Sequence, residues 1–304
     1  MVTTNSERPA TPVAVNSDIS GSTGPPFRSL EAVAAAGFSH VTWGHHWDTD
    51  FLYSQHERAA IAEALERLGL NVVDLHGTSG VEKCWYSPAE YERRAGVELV
   101  RNRIAMAAEL GADAVVLHPM VSDPDFLEIE RERGAESLRE IEEYAREQGV
   151  AIALENLFAG ERTHRFDLAL QNLDTIEYYL GRFDPEYLGF CWDTGHCFIL
   201  GRTALERCAQ IARERLRALH LNDNRGDKDQ HSAPMTWHRD WDLIAEAIAE
   251  SPYPVGKPLA VEVDALQNGR EETGFLLDVR EKSAAFADLY DRASVARAAR
   301  AARE

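Results

Sequence analysis

The chain has only four cysteines, Cys84, Cys191, Cys197 and Cys208, with no Cys-x-x-Cys pair and no spacing that suggests a disulfide framework. A reducing, cytoplasmic setting is therefore the expectation. No apolar run approaches the ~20 residues of a membrane span. Residues 1–12 lack the apolar stretch of a signal peptide, so a soluble protein with no membrane partner is expected. Basic residues are scarce: 32 Lys and Arg face 51 Asp and Glu, a net charge of −19. Such a surface repels phosphate backbones, which argues against a nucleic-acid partner and against anionic membranes. It leaves room for a small charged substrate held locally by an arginine or a metal. No Gly-x-Gly-x-x-Gly follows a strand, and there is neither a P-loop nor a Gly-x-Ser-x-Gly elbow. Ser232 lies beside His231, but nothing around it suggests a nucleophile triad.

What the chain does have is a repeat. Six apolar runs each end on a metal-binding or acid/base side chain, namely His76, His118, Glu155, Asp193, His220 and Glu262. Successive differences are 42, 37, 38, 27 and 42 residues, close to the ~30 or more that one strand and one crossover helix need. Ligand-type residues at the C-terminal ends of parallel strands are how a (β/α)₈ TIM barrel builds its active site. A length of 304 residues and an apolar fraction of 44% suit one such barrel.

The remaining punctuation agrees. Strands are expected to begin near 13, 38, 70, 113, 150, 187, 216 and 258. Helices are expected over about 27–36, 56–68, 88–110, 125–148, 167–181, 202–215 and 239–250, with Gly37, Gly69, Gly111, Gly149 and Gly181 as stops. Residues 1–11 read as a disordered arm, and 12–304 as a single α/β domain with a C-terminal helical tail.

Glu155, Asp193, His220 and Glu262 would converge at the mouth of such a barrel. Three carboxylates and one imidazole suit a divalent cation, manganese first, with magnesium, cobalt or zinc as alternatives. Each could instead be an independent polar cap on its strand. Four in one register favour a shared ion, because carboxylates are rarely buried unpaired.

The segments Leu154-Glu-Asn156, Trp192-Asp-Thr-Gly-His196, Leu219-His-Leu-Asn-Asp223 and Val261-Glu-Val263 resemble motifs of the xylose isomerase-like TIM-barrel superfamily. The resemblance runs from about residue 13 to 285. That superfamily includes sugar isomerases, ketose 3-epimerases and type-IV apurinic endonucleases. The resemblance implies that Glu155, Asp193, His220 and Glu262 form the metal quartet, with Glu155 and Glu262 as the catalytic acid/base pair. It implies that His196 contacts substrate. Arg225 stands one residue closer to the metal histidine than the epimerase motif would place its substrate-binding arginine, so it reads either as that residue or as a solvated turn. His76, His118, Asp229 and His231 match the additional ligands of the trinuclear zinc endonucleases. His76 and His118 read as substrate contacts or structural residues, Asp229 and His231 as a loop-ordering or sugar-contacting pair, and all four as possible further metal ligands.

Trp43, His45, His46 and Trp47 follow the second strand, and Trp85 and Tyr86 the third. Of these, Trp43 and His46 are the candidates for sugar contacts, although the tryptophans could equally pack the barrel rim. Met235-Thr-Trp-His238 implies a bulky pocket wall. The function expected is a metal-dependent sugar isomerase or epimerase that abstracts a proton next to a carbonyl through an enediolate. A lyase using the same deprotonation and a trinuclear zinc phosphodiesterase stay open, and so does pairing into a homo-oligomer. The partner expected is a small carbohydrate substrate.

Overall fold

The computed structural model describes residues 10–77, 80, 82–119, 124–158 and 167–303. Its eight strands are β1 (Val13–Asn16), β2 (His40–Trp43), β3 (Asn71–His76), β4 (Ala114–Leu117), β5 (Ala151–Glu155), β6 (Leu188–Asp193), β7 (Leu216–His220) and β8 (Leu259–Val261). All pair in parallel in the order β7-β6-β5-β4-β3-β2-β1-β8. The parallel bridge between Leu221 and Val261 joins the two ends of that order. The sheet is thus a closed (β/α)₈ barrel, the architecture expected from the repeat.

The helices are α1 (Phe27–Ala35), α2 (Gln55–Leu68), α3 (Glu90–Leu110), α4 (Leu127–Gln148), α5 (Asp167–Leu180), α6 (Thr194–Leu200), α7 (Arg202–Arg215), α8 (Trp241–Glu250) and α9 (Glu272–Ala301). Their ends follow local chemistry. Ser54 and Glu57 form a reciprocal capping box at the start of α2. Gly69 ends that helix at φ 67°, in the left-handed conformation that costs glycine nothing. Gly181 follows the last residue of α5 as expected of a stop, although its N–H still bonds Glu177 O at 3.0 Å and its backbone is not left-handed.

Two features depart from the sequence reading. Helix α6 was not anticipated, since seven residues are too few to show a period. The tail α9 is a barrel helix: Phe275, Leu276, Val279, Phe286 and Tyr290 are buried, and the Phe286 ring lies 5.2 Å from Trp241. The arm expected over 1–11 lies outside the described residues up to position 9. Thr11 itself is buried and tied to the Asp291 carboxylate by its N–H at 3.1 Å and its hydroxyl at 2.6 Å. Among the described residues no helix is long and apolar enough to cross a membrane.

Candidate metal centre

Alternation along the strands turns every second side chain into the barrel, which brings the strand-end residues together at its C-terminal mouth. Glu155, Asp193 and His220 are the last residues of β5, β6 and β7, and Glu262 directly follows β8. One ligand atom from each of these four lies within 4.8 Å of the others. His220 Nδ1 stands 3.2 Å from Glu155 Oε2 and 3.1 Å from Glu262 Oε2, so the two glutamates flank one imidazole nitrogen. Glu155, Asp193 and His220 are almost wholly buried.

That geometry fits a cation. His220 Nδ1 is buried beside two carboxylate oxygens yet makes no hydrogen bond. Three enclosed carboxylates need compensating positive charge, because unpaired buried ions cost several kcal/mol each. The imidazoles supply it in the metal-free protein. Burial alone would raise Glu155, but the His220 and His118 imidazoles outweigh it and hold the carboxyl well below its usual range. Glu262 responds in the same way: burial opposes ionisation, and His220 with His231 brings it down to about 2. Asp193 goes the other way. Burial pushes it up to about 7, helped by the neighbouring charge of Glu155 and offset by His196. The donor set of one nitrogen and several oxygens can coordinate a divalent ion.

Asp193 is also fixed from outside the cluster. Its Oδ1 accepts the His196 backbone N–H at 2.7 Å, which caps α6, and its Oδ2 accepts Asn222 Nδ2 at 2.7 Å. Asn156 brackets the Asp193 backbone from the other side, bonding its N–H at 2.9 Å and its carbonyl at 2.8 Å. These two asparagines stand inside the quoted motifs, but their positioning role was not read from them.

The other site residues divide into those near the quartet and those away from it. His76 Nε2 and His118 Nε2 stand 3.4 and 3.1 Å from Glu155 Oε2, and His76, Glu155 and His220 form a second possible ligand group. Asp193, His196 and His231 form a third. Asp229 Oδ2 lies 3.3 Å from His196 Nε2 and 2.9 Å from His231 Nε2. Burial would lower His231, but Asp229 overrides it and raises the imidazole to about 10. Asp18, which no sequence signal marked, is raised by burial and feels the charge of Glu262.

Three expected contacts are not brought into the cluster. Trp43 is fully buried on the same side of the sheet as its partner Leu75, and its Nε1 donates to Tyr53 Oη at 3.1 Å. His46 has φ 60° and stacks on Phe51 at 4.5 Å. Arg225 is exposed, with its guanidinium 4.6 Å from the Trp237 ring centre. Aromatic rings that do meet the cluster are Trp47, 4.9 Å from His76 and 5.3 Å from His118, and Phe158, 5.1 Å from His196. The Trp47 loop is anchored by buried Arg103, which donates to the carbonyls of His46 at 3.2 Å and Phe51 at 2.9 Å. Trp85 is buried and packs near Tyr179 at 6.0 Å. His238 is held by Asp223, 2.8 Å from its Nδ1, and stacks on Phe198 at 4.0 Å, whereas Trp237 is 45% exposed.

Comparison with known proteins places this site in a family. The chain is 30% identical over 251 residues to the uncharacterized protein y4fM of Sinorhizobium fredii, covering 74% of this chain and 77% of that one. It is 25% identical over 228 residues to a probable endonuclease 4 of Bacillus licheniformis, covering 64% and 73%. Its fold matches the crystal structure of a D-tagatose 3-epimerase-like protein with a TM-score of 0.69 at 19% identity, over 92% of this chain and 98% of that one. Residues 30–279 match the family model described as xylose isomerase-like TIM barrel, and the chain belongs to that family.

Proposed function

We propose that the protein is a divalent-metal-dependent isomerase or epimerase of a sugar or sugar derivative, with Glu155 and Glu262 as its acid/base pair. The observation that carries this reading is the placing of both glutamates against one nitrogen of His220, at 3.2 and 3.1 Å, inside a four-residue ligand group. A bound cation, manganese by preference, would hold the substrate carbonyl and a neighbouring hydroxyl and stabilise the oxyanion that develops as the carbon acid ionises. Glu155 and Glu262 reach that carbon from opposite flanks. One takes the proton and the other returns one, which inverts the centre. Transfer between adjacent carbons instead interconverts aldose and ketose, and the same deprotonation with a leaving group one carbon away gives elimination. Asp193 and His220 fix the cation, while His196, His76 and His118 present imidazoles to substrate oxygens. Trp47 offers its ring to the C–H face of a sugar. The fold it shares with a D-tagatose 3-epimerase-like protein supports this reading.

A second reading rests on the further ligands. His76 and His118 beside Glu155, and Asp229 and His231 beside His196, could complete a site for up to three zinc ions in a phosphodiesterase. A probable endonuclease 4 is among the relatives, but the net charge of −19 opposes a DNA substrate. The metal-reconstituted protein should be assayed on a panel of ketoses and keto-glycosides, with bound metal counted in parallel. Epimerised or isomerised product with about one ion per chain is expected. Two or three zincs with turnover of an abasic-site duplex, and none of a sugar, would contradict it.

A further inference from the structure

The ligand cluster is not sealed evenly. The Glu155 and Asp193 side chains are 1% and 0% exposed, whereas Glu262 and His231, after β8 and β7, are 14% and 19% exposed. A substrate therefore reaches the cluster from the Glu262 side. The next strand on that side is β1, which stands between β8 and β2 in the barrel. Among the described residues neither β1 nor β2 adds to the ligand groups.

The polar group built into that sector is Asp18, two positions past the end of β1. Asn16, the last residue of β1, clamps the chain next to Glu262: its Oδ1 accepts the Val263 N–H at 2.9 Å, and its Nδ2 donates to the Val263 carbonyl at 3.1 Å. The same Nδ2 donates to Asp18 Oδ1 at 2.9 Å. One residue on, the Ile19 carbonyl accepts the Ala265 N–H at 2.9 Å. From the β2 side the carboxylate lies against Gly44, where a Cβ would overlap Oδ1 and stand 2.7 Å from Oδ2. Only glycine leaves that room. The Gly44 carbonyl in turn accepts the N–H of Trp47 at 3.3 Å, and the Trp47 ring meets His76 and His118. Asp18 is thus fixed between the loop that follows Glu262 and the turn that carries Trp47. It is half-buried, and no other described residue bonds its Oδ2.

We propose that Asp18 is a specificity-determining residue of the sugar site: its Oδ2 accepts a hydroxyl of a neutral polyhydroxylated substrate, and its charge turns away phosphorylated and acidic sugars. This rests on the isomerase reading above. A hydrogen bond to an ionised acceptor is roughly twice as strong as one between neutral groups. An anionic substrate group in this sector would instead meet Asp18 and Glu262 together, and like charges brought face to face are strongly unfavourable. Arginines of the adjoining loops do not offset that, because Arg225 stacks on Trp237 and Arg270 bonds Asp278 at 2.7 Å.

The test uses metal-loaded wild type, Asp18→Asn, Asp18→Ala, Gly44→Ala and the Asp18→Ala/Gly44→Ala double variant. Each is given the ketoses and keto-glycosides above, and the same sugars phosphorylated at the terminal carbon. KM and kcat are measured together with calorimetric dissociation constants, and metal affinity is followed by chelator competition. Wild type is expected to prefer the neutral sugars. Both Asp18 variants should raise KM and the dissociation constant for them about 10- to 100-fold, with metal affinity unchanged. Asp18→Asn, which removes the charge and keeps the shape, should narrow the preference over the phosphorylated sugars about tenfold. Gly44→Ala should reproduce the Asp18→Ala loss and add nothing to it in the double variant. A merely structural aspartate would lower thermal stability and leave the preference alone. Unchanged KM and preference in both Asp18 variants, or a wild type that prefers the phosphorylated sugars, overturns the inference. A wild type that binds and converts none of these sugars contradicts the isomerase reading itself, which separates that failure from this one.

Discussion

Asp193 Oδ1 accepts the backbone N–H of His196 at 2.7 Å, so a single carboxylate ends β6, caps α6 and belongs to the four-residue group able to hold a metal ion. The aspartate thereby fixes where His196 points. Asp193→Ala removes both the ligand and the cap, whereas Asp193→Asn keeps an oxygen for the cap. Both variants should lose metal affinity in a chelator competition. Only Asp193→Ala should carry the additional stability loss of about 0.5–2 kcal/mol expected for a lost cap, read by denaturant unfolding of metal-free protein. Equal stability of the two would remove the capping role.

Trp47 and Trp43 should separate cleanly. Trp47 lies against the His76 and His118 rings, and Trp43 is sealed in the core. Trp47→Ala is expected to raise KM for the active sugar about 2- to 10-fold, equivalent to the ~0.5–1.5 kcal/mol of an aromatic contact. Trp43→Ala should cost about 3–5 kcal/mol of folding stability with little change in KM of the folded fraction. Steady-state kinetics with unfolding curves for both variants decide it, and the reverse pattern would contradict the placement.

Glu155→Gln should abolish turnover and weaken metal binding, because the amide can neither remove a proton nor neutralise the cation. His231→Ala should lower turnover only modestly if one ion suffices. Metal analysis reads the alternative: loss of two metal equivalents in His231→Ala would mark a multinuclear centre. Wild-type turnover by Glu155→Gln would remove its acid/base role.

The metal-free protein should lose stability at both ends of the pH scale. Glu262 is depressed from 4.5 to about 2, so its contribution is present above about 4.5 and fades as pH falls towards 2. His231 is raised from 6.5 to about 10, so its contribution is complete below about 6.5 and is lost as pH rises towards 10. Added metal must displace the imidazole protons, so affinity should climb with pH across the neutral range. Thermal midpoints of chelator-treated protein from pH 3 to 10 check the first statement, and metal titrations at three pH values check the second. A flat profile in both would contradict the charge lattice.

The barrel and the quartet were legible in the sequence for one reason. Each ligand ends an apolar run, and period-two alternation then fixes which way it points once the strand is recognised. Aromatic placement was not legible, because it depends on local register. A register shift on the β2–β3 ladder lies between Val41 and Trp43, and His46 reverses the chain at φ 60°. Trp43 thereby joins the core, and Trp47, four residues on, meets the histidines. Helix α6 was hidden by its length.

The most direct measurement is an anomalous-scattering crystal structure of the manganese-soaked protein. The expected result is a peak about 2.0–2.2 Å from a carboxylate oxygen of both Glu155 and Glu262, with Asp193 and His220 completing the set. A site with no peak, or an ion bound by one glutamate while the other cannot reach it, would contradict the claim that the two share a cation.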